Sequence, residues 1–220
     1  MTEHDGRPGL GRRVYDATWG RLFASIYDRM LADTEEAGMR DRRRELLSRA
    51  RGRTLEIGAG TGLNFEHYTD AVTELTLTEP FPPMATRLRE RVGDKAAVIE
   101  APADRLPAAD GSIDTVVCTL VLCTVDDVPA TLSEIARVLA PDGRLLFCEH
   151  VRSDDPRTAR WQDRFERPWK FVGHGCRCNR DTLAAIADSP LEVESVECGT
   201  VPKSPAIVRP LVVGDAVRPA

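Results

Sequence analysis

Three glycines spaced two apart, Gly58, Gly60 and Gly62, follow the short run Thr54-Leu55-Glu56-Ile57. Glycine is demanded where a backbone turns sharply or where a ligand must approach without meeting a Cβ. A strand that feeds such a turn and then a helix presents backbone N–H groups, which suits a nucleotide-like ligand. The spacing bears on which ligand. A dinucleotide fingerprint wants Gly or Ala at position 63, and Leu63 stands there instead. Glu79 closes the next apolar run, Leu75–Thr78. A carboxylate there can accept both hydroxyls of a ribose, whatever the nucleoside; its bland reading is a turn residue before Pro80. His150 closes a later run, Cys148-Glu149-His150. An imidazole at a strand's carboxyl end is either a general base with a pKa near neutrality or a structural histidine, and both readings stay open. The segment His174-Gly175-Cys176-Arg177-Cys178 has C-x-C rather than C-x-x-C and no second pair at zinc spacing. No metal is expected, and the loop reads as a cover over an acceptor pocket.

The elements that must position these residues alternate. Leu75–Thr78 reads as a second strand, Pro82–Val92 as a helix with proline in its first turn, Val98–Ala101 as a third strand and Ile113–Thr119 as a fourth, fully buried one. Asp126 or Asp127 caps a helix running to Leu139, and Pro141-Asp142-Gly143 turns into a fifth strand, Arg144–Cys148. The rhythm predicts an α/β fold with a mostly parallel sheet and helices on both faces. Residues 154–170 read as a helical insert, Asp181–Ala187 as a short helix, and Leu191–Cys198 and Leu211–Val217 as two final strands. Ahead of all this, 1–12 is a polar arm and Val14–Ala50 is helical, with Trp19, Phe23 and Tyr27 as one aromatic stripe. That gives a helical cap over 1–50 and a ligand-binding core over 51–220, in one domain. Seven arginines between Arg40 and Arg53 read first as a solvated helix face and second as a surface for an anionic membrane or substrate.

Composition bounds the rest. The 220 residues are 42% hydrophobic and 30% charged, enough for one sizeable core. A net charge of −5 argues against nucleic acid as a partner. No run approaches a membrane span and no signal-peptide pattern opens the chain, so a cytoplasmic location is expected, with room for peripheral membrane contact. The six scattered cysteines then read as small hydrophobes rather than disulfides. Oligomeric state is not legible.

The pattern E-x-G-x-G-x-G, with its acid inside the strand, resembles the first motif of the class I S-adenosylmethionine (SAM) methyltransferases. The resemblance implies a Rossmann-like, seven-stranded sheet whose last strand is antiparallel, with SAM as cofactor and S-adenosylhomocysteine as product. It implies that Glu56, Gly58, Ala59, Gly60, Gly62 and Asn64 hold the methionine part, and that Glu79 and Pro80 meet the ribose. Ala103 and Asp104 would meet the adenine, while Thr119 and Leu120 border the methyl group. Ala103-Asp104-Arg105-Leu106-Pro107 is similar to the adenine segment of the ubiquinone/menaquinone-biosynthesis branch, although Pro102 stands where relatives carry Asp or Asn. Val117–Val125, Glu149-His150-Val151, Pro168-Trp169-Lys170 and Gly175-Cys176-x-x-x-Arg180 together resemble the animal methyltransferase-like proteins that methylate alkyl thiols at microsomal membranes. Those begin with a hydrophobic anchor, and this N-terminus is hydrophilic. The expectation is therefore methyl transfer to a small, apolar acceptor, thiol sulfur first, with His150 taking or orienting the acceptor's proton. Methylation at O, N or C of a quinone, lipid or secondary metabolite, SAM binding without turnover, and a nicotinamide oxidoreductase are the alternatives.

Overall fold

The computed structural model describes residues 10–219. Its seven strands are β1 (Gly52–Ile57), β2 (Val72–Thr78), β3 (Ala97–Ile99), β4 (Ile113–Thr119), β5 (Leu139–His150), β6 (Glu192–Thr200) and β7 (Pro210–Val217). They form one sheet in the order β3-β2-β1-β4-β5-β7-β6. Every pairing from β3 to β5 is parallel, and β7 runs antiparallel to both β5 and β6. The order reverses between β1 and β4, so a crevice opens at the carboxyl ends of those strands.

Alternation along the central strands assigns the two faces. Val116, Cys118, Leu145 and Phe147 point into one core, joined by Leu132 and Ile135 of α5 (Val128–Val138) and Ile186 of α7 (Thr182–Ala187). Their neighbours Val117, Leu146 and Cys148 point the other way, onto Leu46 and Leu47 of α3 (Arg40–Leu47). Both faces are covered, as the consecutive apolar residues Val116, Val117 and Cys118 of β4 require. The helix α4 (Pro82–Val92) starts with prolines in its first turn, and α5 is capped by the Asp127 carboxylate, which accepts from Ala130 N at 2.9 Å.

Three expectations need correction. No α-helix follows the glycine turn; the connection to β2 carries one 3₁₀ turn, Phe65–His67. The reason is Asn64, whose side chain points inward to bond Glu56 and Thr119 and spends those residues on the turn. Strand β5 begins five residues early, at Leu139, and absorbs Pro141-Asp142-Gly143 as an irregularity opposite Ile113–Thr115. The arginine run is not wholly solvated, because Arg43 is buried against Glu35, with Nε 3.1 Å from Oε1.

The N-terminal cap is α1 (Leu10–Tyr15), a wide turn at Asp16–Gly20, α2 (Arg21–Thr34) and a second wide turn at Glu35–Met39 broken at Gly38. It closes onto α6 (Pro156–Val172): Tyr15 Oη donates to Phe171 O at 2.7 Å and Trp19 Nε1 to Val172 O at 3.2 Å. Helix α6 is itself pinned by the fully buried Gln162. Its Oε1 accepts from Ser153 N, and its Nε2 faces the carbonyls of Val151, Cys178 and Ile207, all within 2.8–3.0 Å. Gln162→Leu strands a buried donor and three carbonyls, so it is expected to cost about 3 kcal/mol. In a chain of this size that lowers Tm by roughly 6–12 °C, which differential scanning calorimetry would read.

Candidate active site

The carboxyl ends of β1, β2, β4 and β5 surround a cleft of about 1610 Å³, roofed by the cap helices. Ligand pockets run to roughly 1,000 Å³, so this one has room for a nucleoside and a second molecule. Its wall at β1 is the glycine turn. Gly58 and Gly60 have φ of 58° and 59°, and a Cβ on Gly58 would stand 2.8 Å from Val121 Cγ2. Only glycine takes both the angle and the approach without strain. The turn is tied to the end of β2, where Ala59 N donates to Thr78 O at 2.9 Å and Gly60 N to Glu79 Oε2 at 2.9 Å. The other oxygen of Glu79 accepts from Phe81 N at 2.8 Å. Burial pushes the Glu79 carboxyl up to about 7, against those two N–H bonds. Each oxygen keeps a lone pair for a ligand hydroxyl.

Behind the turn lies a buried polar network that sequence reasoning did not find. Glu56 accepts from Asn64 Nδ2 at 2.9 Å and from Tyr68 Oη at 2.6 Å. Asn64 also donates to Thr119 Oγ1 at 2.6 Å and accepts from Arg43 Nη1 at 2.9 Å. One amide thereby joins the ends of β1 and β4 to α3. Burial raises the Glu56 pKa, with the Tyr68 and Asn64 donors opposing. Asn64 carries no helical or strand period that would have marked it as interior. A further tie runs from the cap, since Asp28 on α2 accepts from Thr61 Oγ1 of the turn and from Arg91 of α4.

The opposite wall is the turn after β4. Leu120 has φ of 59°, an unfavourable region for a branched side chain costing about 1–2 kcal/mol. The reversal aims three successive N–H groups at Glu149: Val121 and Leu122 donate to Oε1 at 2.8 and 3.0 Å, and Cys123 to Oε2 at 3.2 Å. Glu149 is fully buried, and burial pushes its carboxyl up to about 7 in spite of those donors. The functional weight of this glutamate was overlooked beside its neighbour, His150.

Of the residues singled out from the sequence, Gly58, Gly60, Glu79, Pro80, Ala103, Asp104, Thr119, Leu120 and His150 line this one cleft. Glu56, Ala59, Gly62 and Asn64 are not on its wall; Glu56 and Asn64 hold the turn from behind. The expectation of a near-neutral His150 is corrected. Burial lowers its pKa to about 4, with the backbone carbonyls of Pro210 and Val208 beside the ring opposing. The imidazole is neutral at physiological pH, and its buried Nδ1 has no hydrogen-bond partner among the described residues. Above the cleft, His174 stacks on Phe23 at 5.3 Å and lies 4.6 Å from Phe81, centroid to centroid. The aromatic stripe of the cap thus packs on Phe81 and Met84 at the start of α4, with Trp19 on Phe171 and Phe23 on His174, rather than on the sheet.

This architecture suits a nucleoside that carries a reactive group toward the β4–β5 end, and a second small molecule beside His150. Comparisons with known proteins agree with it. A family model described as "Methyltransferase domain" matches residues 55–147. The chain is 34% identical over 218 residues to the human thiol S-methyltransferase TMT1B, covering 91% of this chain and 89% of that protein. Among solved structures it resembles a SAM-dependent methyltransferase from Thermotoga maritima (TM-score 0.69, 20% identity, 91% of this chain and 98% of that one). It also resembles geranyl diphosphate C-methyltransferase from Streptomyces coelicolor, solved with S-adenosyl-L-homocysteine (TM-score 0.62, 14% identity, 81% of this chain and 76% of that one).

Proposed function

This chain belongs to the class I SAM-dependent methyltransferases, and from that premise we propose that it methylates the sulfur of a small, apolar thiol held beside His150. The cofactor fits the cleft: the glycine turn leaves a Cβ-free wall, and Glu79 offers lone pairs where a ribose would lie. In this reading Gly58 and Gly60 admit the methionine part, Glu79 and Pro80 take the ribose, Ala103 and Asp104 border the adenine, and Thr119 and Leu120 flank the methyl group. SAM supplies an electrophilic methyl on sulfonium. The protein's own work is to exclude water and hold the acceptor's sulfur in line.

The observation that carries the thiol reading is the neutral, buried Nδ1 of His150, without a hydrogen-bond partner among the described residues, on a residue of the cleft wall, together with the similarity to a thiol S-methyltransferase. With a pKa near 4, His150 lies about 4.5 units below an ordinary thiol, so it does not hold the thiol's proton before transfer. It accepts the S–H as a hydrogen bond as the thiol docks and so orients the sulfur; the proton then passes to solvent, and the thiolate attacks the methyl. His150→Ala is therefore expected to lower kcat/KM about 5- to 30-fold, the worth of one such bond. The pH profile of both proteins should rise with ionisation of the thiol alone. A limb near 6.5 in the wild type that vanishes in the variant would show a titrating base instead. Equal turnover on phenols or amines of the same size would remove the preference for sulfur. The same reading keeps the protein in the cytoplasm, where its thiols stay reduced; recovery only in a membrane fraction would contradict that. Among the described residues no helix is long and apolar enough to cross a membrane.

A further inference from the structure

Two cysteines with no part in that chemistry meet on the cleft wall. Cys123 sits in the turn after β4 and Cys176 in the loop after α6, 53 positions apart, with their sulfurs 3.8 Å from each other. Both line the cleft, so a small reagent reaches them through the route open to the acceptor. The backbones are already joined there, since Arg177 N donates to Cys123 O at 2.7 Å. A disulfide needs the sulfurs at about 2 Å, so bonding requires the two side chains to close the remaining gap. We propose that Cys123 and Cys176 form a redox-modification site that low-molecular-weight disulfides or peroxides convert to an intramolecular disulfide.

The two thiols are not equivalent. The Cys123 S–H, which donates to it, and the Arg180 guanidinium favour the Cys176 thiolate, while Cys123 is held protonated by that same bond and by burial. Cys176 is thus the attacking sulfur. Its thiolate displaces one thiolate from a reagent RS–SR and forms a mixed disulfide. Cys123 then loses its proton, attacks the Cys176 sulfur and releases the second RS–H. The protein pair is oxidised by two electrons, and one RS–SR is reduced to two RS–H. With hydrogen peroxide the Cys176 thiolate attacks one oxygen and hydroxide leaves, giving a sulfenic acid, whose hydroxyl Cys123 then displaces, so that one peroxide is reduced to two waters.

Closure draws in the loop that carries His174, and with it the contacts to Phe23 and Phe81 that seat the cap over the cleft. A misplacement of about 1 Å at such a site costs up to roughly 100-fold in rate. The proposal stands on the geometry of the cleft and not on the identity of the acceptor. Its test therefore reads the bond directly. Full-length protein is treated with bis(2-hydroxyethyl) disulfide or hydrogen peroxide and mapped by non-reducing peptide mass spectrometry. The expected result is a Cys123–Cys176 cross-linked peptide, loss of two of the six thiols, at least a roughly tenfold fall in turnover, and full recovery with dithiothreitol. Cys176→Ser should give no cross-link. Cys198→Ser, whose cysteine is exposed and away from the cleft, should still give it and leave basal turnover unchanged. Oxidation confined to Cys198, or inactivation without the cross-link, would overturn the proposal.

Discussion

Glu79→Ala is expected to weaken SAM binding about 100-fold or more. Two charge-assisted hydrogen bonds to the ribose diol, at about 1.5–3 kcal/mol each, account for that loss. The substitution also releases Gly60 N and Phe81 N from their only carboxylate, loosening the turn that admits the cofactor. Glu79→Gln keeps one acceptor and should fall between the two. The pH dependence has a defined sign. Burial pushes the Glu79 pKa up to about 7 in the unliganded protein, and the ribose favours the carboxylate. A proton therefore competes with SAM below pH 7. Affinity should drop by up to about tenfold per pH unit there and level off above it. Calorimetric titration from pH 5.5 to 8.5 checks this, and Glu79→Gln should flatten the curve. An affinity in Glu79→Ala within a factor of three of wild type would show that the ribose lies elsewhere.

Glu149→Ala should produce the largest loss of stability, about 3–5 kcal/mol. It strands the N–H groups of Val121, Leu122 and Cys123 in a buried site, at roughly 1–3 kcal/mol each where water cannot reach them. It also removes what holds Leu120 at its unfavourable φ. Because the Glu149 pKa is raised from 4.5 to about 7, its contribution is fullest below pH 4.5 and declines as pH rises through 7. The gap between wild type and variant should thus be wider at pH 5 than at pH 8, by denaturant titration at each pH. The turn also walls the cleft, so the folded variant should lose kcat more than cofactor affinity. His150 runs the opposite way: with its pKa lowered toward 4, it withdraws stability as pH falls below 6.5.

The parts of this fold legible in the sequence were those written in short-range chemistry. The glycine turn announces itself because only one residue type tolerates its angles, and Glu79 because a carboxylate at the end of β2 has few other uses. The parallel strands were legible because residues buried on both faces leave consecutive apolar positions, as in Val116, Val117 and Cys118 of β4. What stayed hidden depends on contacts between distant segments. Nothing local in Asn64 reveals that it bonds to β4 and α3, or that doing so abolishes a helix. Arg43 looks like its exposed neighbours until Glu35 and Asn64 are brought to it by the break at Gly38. His150 was placed on the cleft by its position, but its low pKa follows from burial in the folded chain, against the opposing carbonyls of Val208 and Pro210 almost sixty residues away.

The most direct test of the account incubates wild-type protein with CD3-labelled SAM and a small alkyl thiol, and reads both products by mass spectrometry. The account predicts a trideuteromethyl sulfide and S-adenosylhomocysteine in equal amounts. SAM that binds yet is never demethylated, or a label that appears only on oxygen or nitrogen acceptors, would contradict it.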